Sequence, residues 1–255
     1  MPDLPHGLAP LAILFVAALW AGAQNALAGG GSFITLPALM FTGMDARAAN
    51  ITSTVALFPG QVATGLTGRK LVEGAEGLSF RMLVILSLAG GVVGALLLLS
   101  TPAAFFALMV PWLVLFATGV FAWGSFVPRK SGRVLGPWAA GAAQFGIAIY
   151  GGYFGGGIGF LMLAALTLAG QAVRTAGATK NVLAGVMNAS AVVVFLILYP
   201  VHWTQAAVAC AGALVGGILG GVLLKRVNEK LLRGVVVAIG LVLTVGLFVK
   251  AYLAK

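Results

Sequence analysis

Ala28-Gly29-Gly30-Gly31-Ser32 and, 126 residues later, Phe154-Gly155-Gly156-Gly157-Ile158 each interrupt a long apolar run where a continuous helix would be expected. Glycine bends or breaks a helix at the least steric cost, so both triplets predict broken helices. In a bilayer, unwound backbone survives only where it is buried in protein or lines a wet cavity, and such a break therefore points to a site. The flanking segments agree. Leu8 to Ala28 and Trp138 to Phe154 read as apolar helices leading into the breaks. Ser32 to Thr42 and Gly159 to Leu168 are about ten residues each, roughly 16 Å as helix, and too short to cross about 30 Å of hydrocarbon.

Composition sets the solvent. Of the 255 residues 61% are hydrophobic and 8% charged, against roughly 25% charged in soluble domains, and the mean hydropathy is +1.09. The chain reads as an all-α polytopic membrane protein with the lipid bilayer as its partner. Further apolar helices are expected at Ala48 to Leu66, Met82 to Leu99, Ala103 to Phe126, Thr175 to Tyr199, Trp203 to Leu224 and Gly234 to Val249. The net charge of +10 would suggest nucleic acid in a soluble protein. Here Lys and Arg sit mostly in short loops, where topology explains them and no nucleic-acid partner is called for. The N-terminus lacks a basic n-region, so the first apolar run reads as a retained helix. Cys210, the single cysteine, reads as a buried apolar thiol without a disulfide or metal role.

The 126-residue spacing recurs between Gly90 and Gly216 and between Thr118 and Thr244. It predicts an internal duplication, with one repeat at 1–128 and a second at 129–255. The small-residue runs Gly90-Gly91-Val92-Val93-Gly94 and Gly216-Gly217-Ile218-Leu219-Gly220 predict close helix approach in each half. Loops at 68–81, 128–133 and 225–233 hold ten of the fifteen Lys and Arg residues, which assigns them to the cytoplasm. Alternation then puts the turn at 43–47 outside and its counterpart at 170–174 inside, so the two repeats are inverted. Each repeat is a Gly-broken re-entrant helix pair plus three transmembrane helices, a plan of secondary transporters with the site near the midplane.

These motifs resemble the TauE/SafE family of sulfite and organosulfonate exporters. The resemblance rests on Gly29-Gly30-Gly31-Ser32-Phe33 with Pro37, on Asn50-Ile51-Thr52-Ser53-Thr54, and on Gly155-Gly156-Gly157-Ile158-Gly159 followed by Ala178-Thr179-Lys180-Asn181. It covers nearly the whole chain. What it implies is a multi-pass permease of the bacterial inner membrane that moves sulfite, sulfonates or related small anions.

Helix N-termini carry partial positive charge and free N–H groups, so two short helices starting near Gly31 and Gly157 predict an anion cradle that would include Gly29, Gly30, Ser32, Gly155 and Gly156. Lys180 falls more than one turn inside its helix, where a charge costs about 2.5 to 3.5 kcal/mol on insertion scales. No Asp or Glu lies in any predicted span, which leaves a bound anion, helix carbonyls or water as compensation. Snorkelling of the ammonium to the surface is the alternative. With one inserted residue, Thr179, Lys180, Asn181 and Asn188 match Thr52, Ser53, Thr54 and Gln61, and Asn50 precedes the first set. Both stripes serve equally as ligand contacts or as interhelical hydrogen bonds. Gln24, Asn25, Tyr150 and Tyr153 precede the breaks and are cavity candidates. Arg47 and Arg174, at matching turns, read as gate residues or helix-end anchors.

The leading expectation is a secondary transporter, in the exporting direction, for a small anion. An anion channel and a permease for another small anion such as a carboxylate stand beside it. An intramembrane enzyme is disfavoured because no span carries a carboxylate pair and the two histidines lie near membrane ends. No cofactor or metal is expected. The coupling ion and the oligomeric state, a homodimer included, stay open.

Overall fold

The computed structural model describes residues 7–27, 30–75, 77–126, 135–223 and 229–253. Among the described residues ten α-helices follow one another: α1 (Leu8–Leu27), α2 (Ser32–Phe41), α3 (Ala46–Gly68), α4 (Phe80–Ser100), α5 (Ala103–Phe126), α6 (Pro137–Tyr153), α7 (Ile158–Leu168), α8 (Val173–Leu198), α9 (Trp203–Leu223) and α10 (Glu229–Phe248). Four of them contain spans long and apolar enough to cross a membrane, at Leu8–Asn25, Phe80–Ser100, Ala103–Gly124 and Val173–Leu198. The outward faces carry large exposed apolar side chains such as Ile85, Leu97, Trp112, Val193, Ile197 and Ile218. Apolar surface that extensive has no place in water and marks a multi-pass membrane protein.

Both expected breaks are present, although their local shapes differ. Gly30, Gly155 and Gly157 take φ of 82°, 81° and 75°, the left-handed region that glycine enters without a Cβ penalty. Gly29 lies outside the described residues, as do Arg129, Lys130 and Arg133 of the second basic loop. Helices α3, α4 and α8 begin two residues before the apolar pattern predicts, at Ala46, Phe80 and Val173, and α10 begins five before it, at Glu229, because a polar first turn does not disturb backbone hydrogen bonding. At the start of α3, Asp45 accepts hydrogen bonds from the N–H groups of Arg47 and Ala48, the usual satisfaction of orphan donors at a helix entry.

Helices α3 and α8 cross at the centre, α5 packs on α10, and the outer pairs are α1 with α9 and α4 with α6. The pattern is reciprocal: α9 also meets α3, as α4 meets α8. Small residues set these approaches. A Cβ on Gly22 would collide with the Ala213 backbone, one on Gly216 with Leu19 O, one on Gly90 with Ala148, and one on Gly94 with Ile149 O. In lipid, where no hydrophobic drive separates helix from solvent, such close backbone contact supplies much of the packing energy. Between these layers lie buried side chains from both short helices, with Phe33, Leu36, Phe106 and Phe154 in one cluster and Met162, Leu183 and Met187 in another.

Candidate anion-binding cavity

The two glycine breaks meet beside the α3–α8 crossing and line a partly open cavity of about 70 Å³. One water needs roughly 10 to 15 Å³ on this measure, so the space has room for a small polyatomic group. Its wall is contributed by five helices. Asn25 comes from the end of α1, Gly30 and Ser32 from the first break, and Gly155, Gly157, Ile158 and Gly159 from the second. Leu57, Gln61 and Thr64 lie on one face of α3, while Lys180, Asn181 and Ala184 project from α8.

Lys180 is seven residues into α8, about 10 Å along the helix. It is half-buried, and the surface it keeps faces the cavity. Its Nζ stands 3.4 Å from where a Cβ on Gly159 would lie, which brings the ammonium to the first turn of α7. Among the described residues no carboxylate pairs with it.

The polar groups around the cavity are held in place. Asn25 Oδ1 accepts from the Gly31 N–H at 3.1 Å, and Gln24 Nε2 donates to Gly30 O at 3.3 Å. Asn188 Nδ2 donates to Gln61 Oε1 at 2.6 Å. These bonds fix the wall without consuming Lys180 or the first N–H groups of α7, whose following amides turn back to Gly157 O at 3.1 Å from Phe160 and 3.5 Å from Leu161.

Other residues of the two predicted stripes lie away from the cavity and are engaged elsewhere. Asn50 Nδ2 donates to Tyr153 O at 3.1 Å. Ser53 and Thr35 share a buried hydroxyl pair at 2.6 Å, and Thr54 donates back to Asn50 O at 2.9 Å. Thr52 Oγ1 is buried without a hydrogen-bond partner. Thr179 Oγ1 accepts from the Glu73 N–H at 3.2 Å, which ties the loop after α3 to α8. Gly156 is wedged between the rings of Phe154 and Phe33. Tyr150 packs edge-on against Phe116 and Phe154, and the Tyr153 hydroxyl donates to Thr101 Oγ1 at 3.4 Å.

The two arginines part company. Arg47 donates to Thr101 O at 2.9 Å and to Leu99 O at 3.4 Å, and lies 5.7 Å over the Tyr199 ring. Arg174 is exposed. Leu57, Thr64, Ile158, Gly159 and Ala184 line the cavity although sequence reasoning did not select them. Leu57 and Thr64 were findable, since they share Gln61's helical face at spacings of four and three. Among the described residues no group of His, Cys, Asp and Glu could hold a metal ion.

Residues 14–247 match the family described as Sulfite exporter TauE/SafE. A probable membrane transporter protein of Haemophilus influenzae is 31% identical over 246 residues, 93% of this chain and 94% of its own length. The probable membrane transporter protein ORF9 of a Sinorhizobium species is 30% identical, over 97% of this chain and 95% of its own. YfcA of Escherichia coli K12, also named a probable membrane transporter protein, is 27% identical over 92% of this chain and 88% of its own.

Proposed function

The chain belongs to the sulfite exporter TauE/SafE family of membrane transporters, and on that premise we propose that it is a secondary transporter that exports a small sulfur oxyanion, sulfite or a short organosulfonate, across the bacterial inner membrane. The observation that carries the reading is Lys180, an ammonium without a carboxylate partner among the described residues, opening on the small cavity between the two breaks. A charge in that setting costs about 2.5 to 3.5 kcal/mol on insertion scales, and an anionic ligand offsets it. Sulfite and sulfonate groups present several acceptor oxygens, which suits the amides of a helix end with the Lys180 ammonium and the Asn181 side chain beside them. The volume of about 70 Å³ has room for a compact oxyanion headgroup.

Transport follows from alternating access to that site by two inverted repeats, at 1–128 and 129–255. Contacts that join the two repeats, such as Asn50 Nδ2 to Tyr153 O at 3.1 Å and Gln171 Nε2 to Glu73 O and Gly74 O at 2.8 and 3.0 Å, open or slip in that motion.

The test is flux into proteoliposomes of purified protein, with sulfite, methanesulfonate, sulfate and acetate offered with and without proton and sodium gradients. Saturable flux of sulfite or the sulfonate, accelerated by the same anion on the far side, is expected of the carrier. Flux without saturation or exchange would indicate a channel, and selective movement of acetate would overturn the sulfur assignment.

A further inference from the structure

The two breaks are alike in sequence and unlike in what they leave free. We propose that the chain holds one anion headgroup, bound by the second break alone through the first turn of α7 and Lys180, while the N-terminus of α2 is filled and takes no ligand. This rests on the reading of the cavity as an anion site and narrows it.

At the first break the Gly31 amide is already donated to Asn25 Oδ1 at 3.1 Å. Phe33 in the first turn is buried, and its ring approaches within 3.1 Å of where Cβ atoms on Gly30 and Gly156 would lie. An aromatic ring thus closes over the α2 end. One turn deeper, Thr35 and Ser53 satisfy each other at 2.6 Å. That pair is neutral and adds no charge of its own to the helix end.

At the second break each of these positions is changed. The residue 126 positions after Phe33 is Gly159, which brings no ring of its own to the first turn of α7, and the neighbour that its Cβ would meet is Lys180 Nζ. The residue 126 positions after Asn25 is Gly151, which has no side chain to accept from the Gly157 amide at the head of that helix. The residue 127 positions after Ser53 is Lys180, and its Nζ reaches the space that a Cβ on Gly159 would border at 3.4 Å. A helix N-terminus attracts an anion weakly on its own, and an ammonium beside it in a low-dielectric setting raises that attraction considerably. A second anion at the α2 end would have to displace Asn25 and Phe33, would share the one Lys180 ammonium in the cavity wall, and would repel the first.

The ligand class is therefore an anion with a single compact oxyanion group. The experiment measures binding of sulfite and of methanesulfonate to the purified full-length protein by titration calorimetry, on the parent, Gly159→Ala and Thr35→Val. Alanine at 159 makes only ordinary contact with Lys180 and is the better helix former, so its effect on binding is not an effect on folding; a thermal melt checks this. One site per chain is expected, with affinity weakened about tenfold or more in Gly159→Ala and kept within about twofold in Thr35→Val. Unchanged affinity in Gly159→Ala, an equal loss in Thr35→Val, or two sites per chain would overturn the assignment to α7. A parent protein that binds neither anion would overturn the anion reading itself, and this assignment with it.

Discussion

Asn188 of α8 donates its side-chain amide to Gln61 Oε1 of α3 at 2.6 Å, joining two residues 127 positions apart at the central helix crossing. Gln61 also lines the cavity, so this bond couples the packing of the crossing to the position of the wall. Interhelical hydrogen bonds in membrane proteins average about 0.6 kcal/mol and reach about 1.7. A double-mutant cycle of Asn188→Ala and Gln61→Ala is expected to give a coupling energy in that range, read from unfolding in detergent. Additive effects would mean that the contact does not hold the crossing.

The glycine crossings separate packing from tolerance. Gly94→Leu and Gly216→Leu drive side chains into the carbonyls of Ile149 and Leu19, and overpacking of this kind costs about 1 to 3 kcal/mol or more. Both variants are expected to lose monodisperse protein in size-exclusion chromatography. Gly119→Ala and Gly146→Ala, where nothing lies within 4 Å of a Cβ, are expected to behave like the parent.

Gly30 and Gly155 hold φ near +80°, and an L-residue there costs roughly 1 to 2 kcal/mol. Gly30→Ala and Gly155→Ala are expected to insert normally yet transport more slowly, because the strain falls on the backbone that shapes the cavity. Full transport rates in both would show that the breaks tolerate reshaping.

The matched arginines predict unmatched phenotypes. Arg47→Ala removes two carbonyl contacts and the Tyr199 stacking, and is expected to lower the thermal midpoint measurably. Arg174 is exposed, and Arg174→Ala should stay within about 0.5 kcal/mol of the parent. Equal effects would contradict the asymmetry of the two turns.

Much of this architecture was legible because membrane physics restricts the choices. Glycine triplets inside apolar runs located both breaks, and the small-residue runs at Gly90 and Gly216 located the tight crossings. The site was legible in its frame and less so in its members. Asn25, Ser32, Gln61, Lys180 and Asn181 line the cavity, whereas Asn50, Thr52, Ser53, Thr54, Thr179 and Asn188 lie on the same helices away from it. A polar side chain in lipid must bond something, and sequence cannot say whether that is a ligand or the next helix. The different fates of Phe33 and Gly159 were visible as residue types, but only the fold places a ring over one helix end and an ammonium beside the other.

In the proposed mechanism Lys180 supplies the charge for an anion in the cavity. Lys180→Gln keeps a hydrogen-bonding side chain but removes the cation, and Lys180→Arg keeps the cation with altered shape. Sulfite binding to purified, correctly inserted protein is the direct measurement. Lys180→Gln is expected to weaken binding by more than the ~1 kcal/mol of a neutral hydrogen bond, roughly tenfold or beyond, with Lys180→Arg the milder change. Sulfite binding as tight in Lys180→Gln as in the parent would contradict it and make Lys180 an anchor.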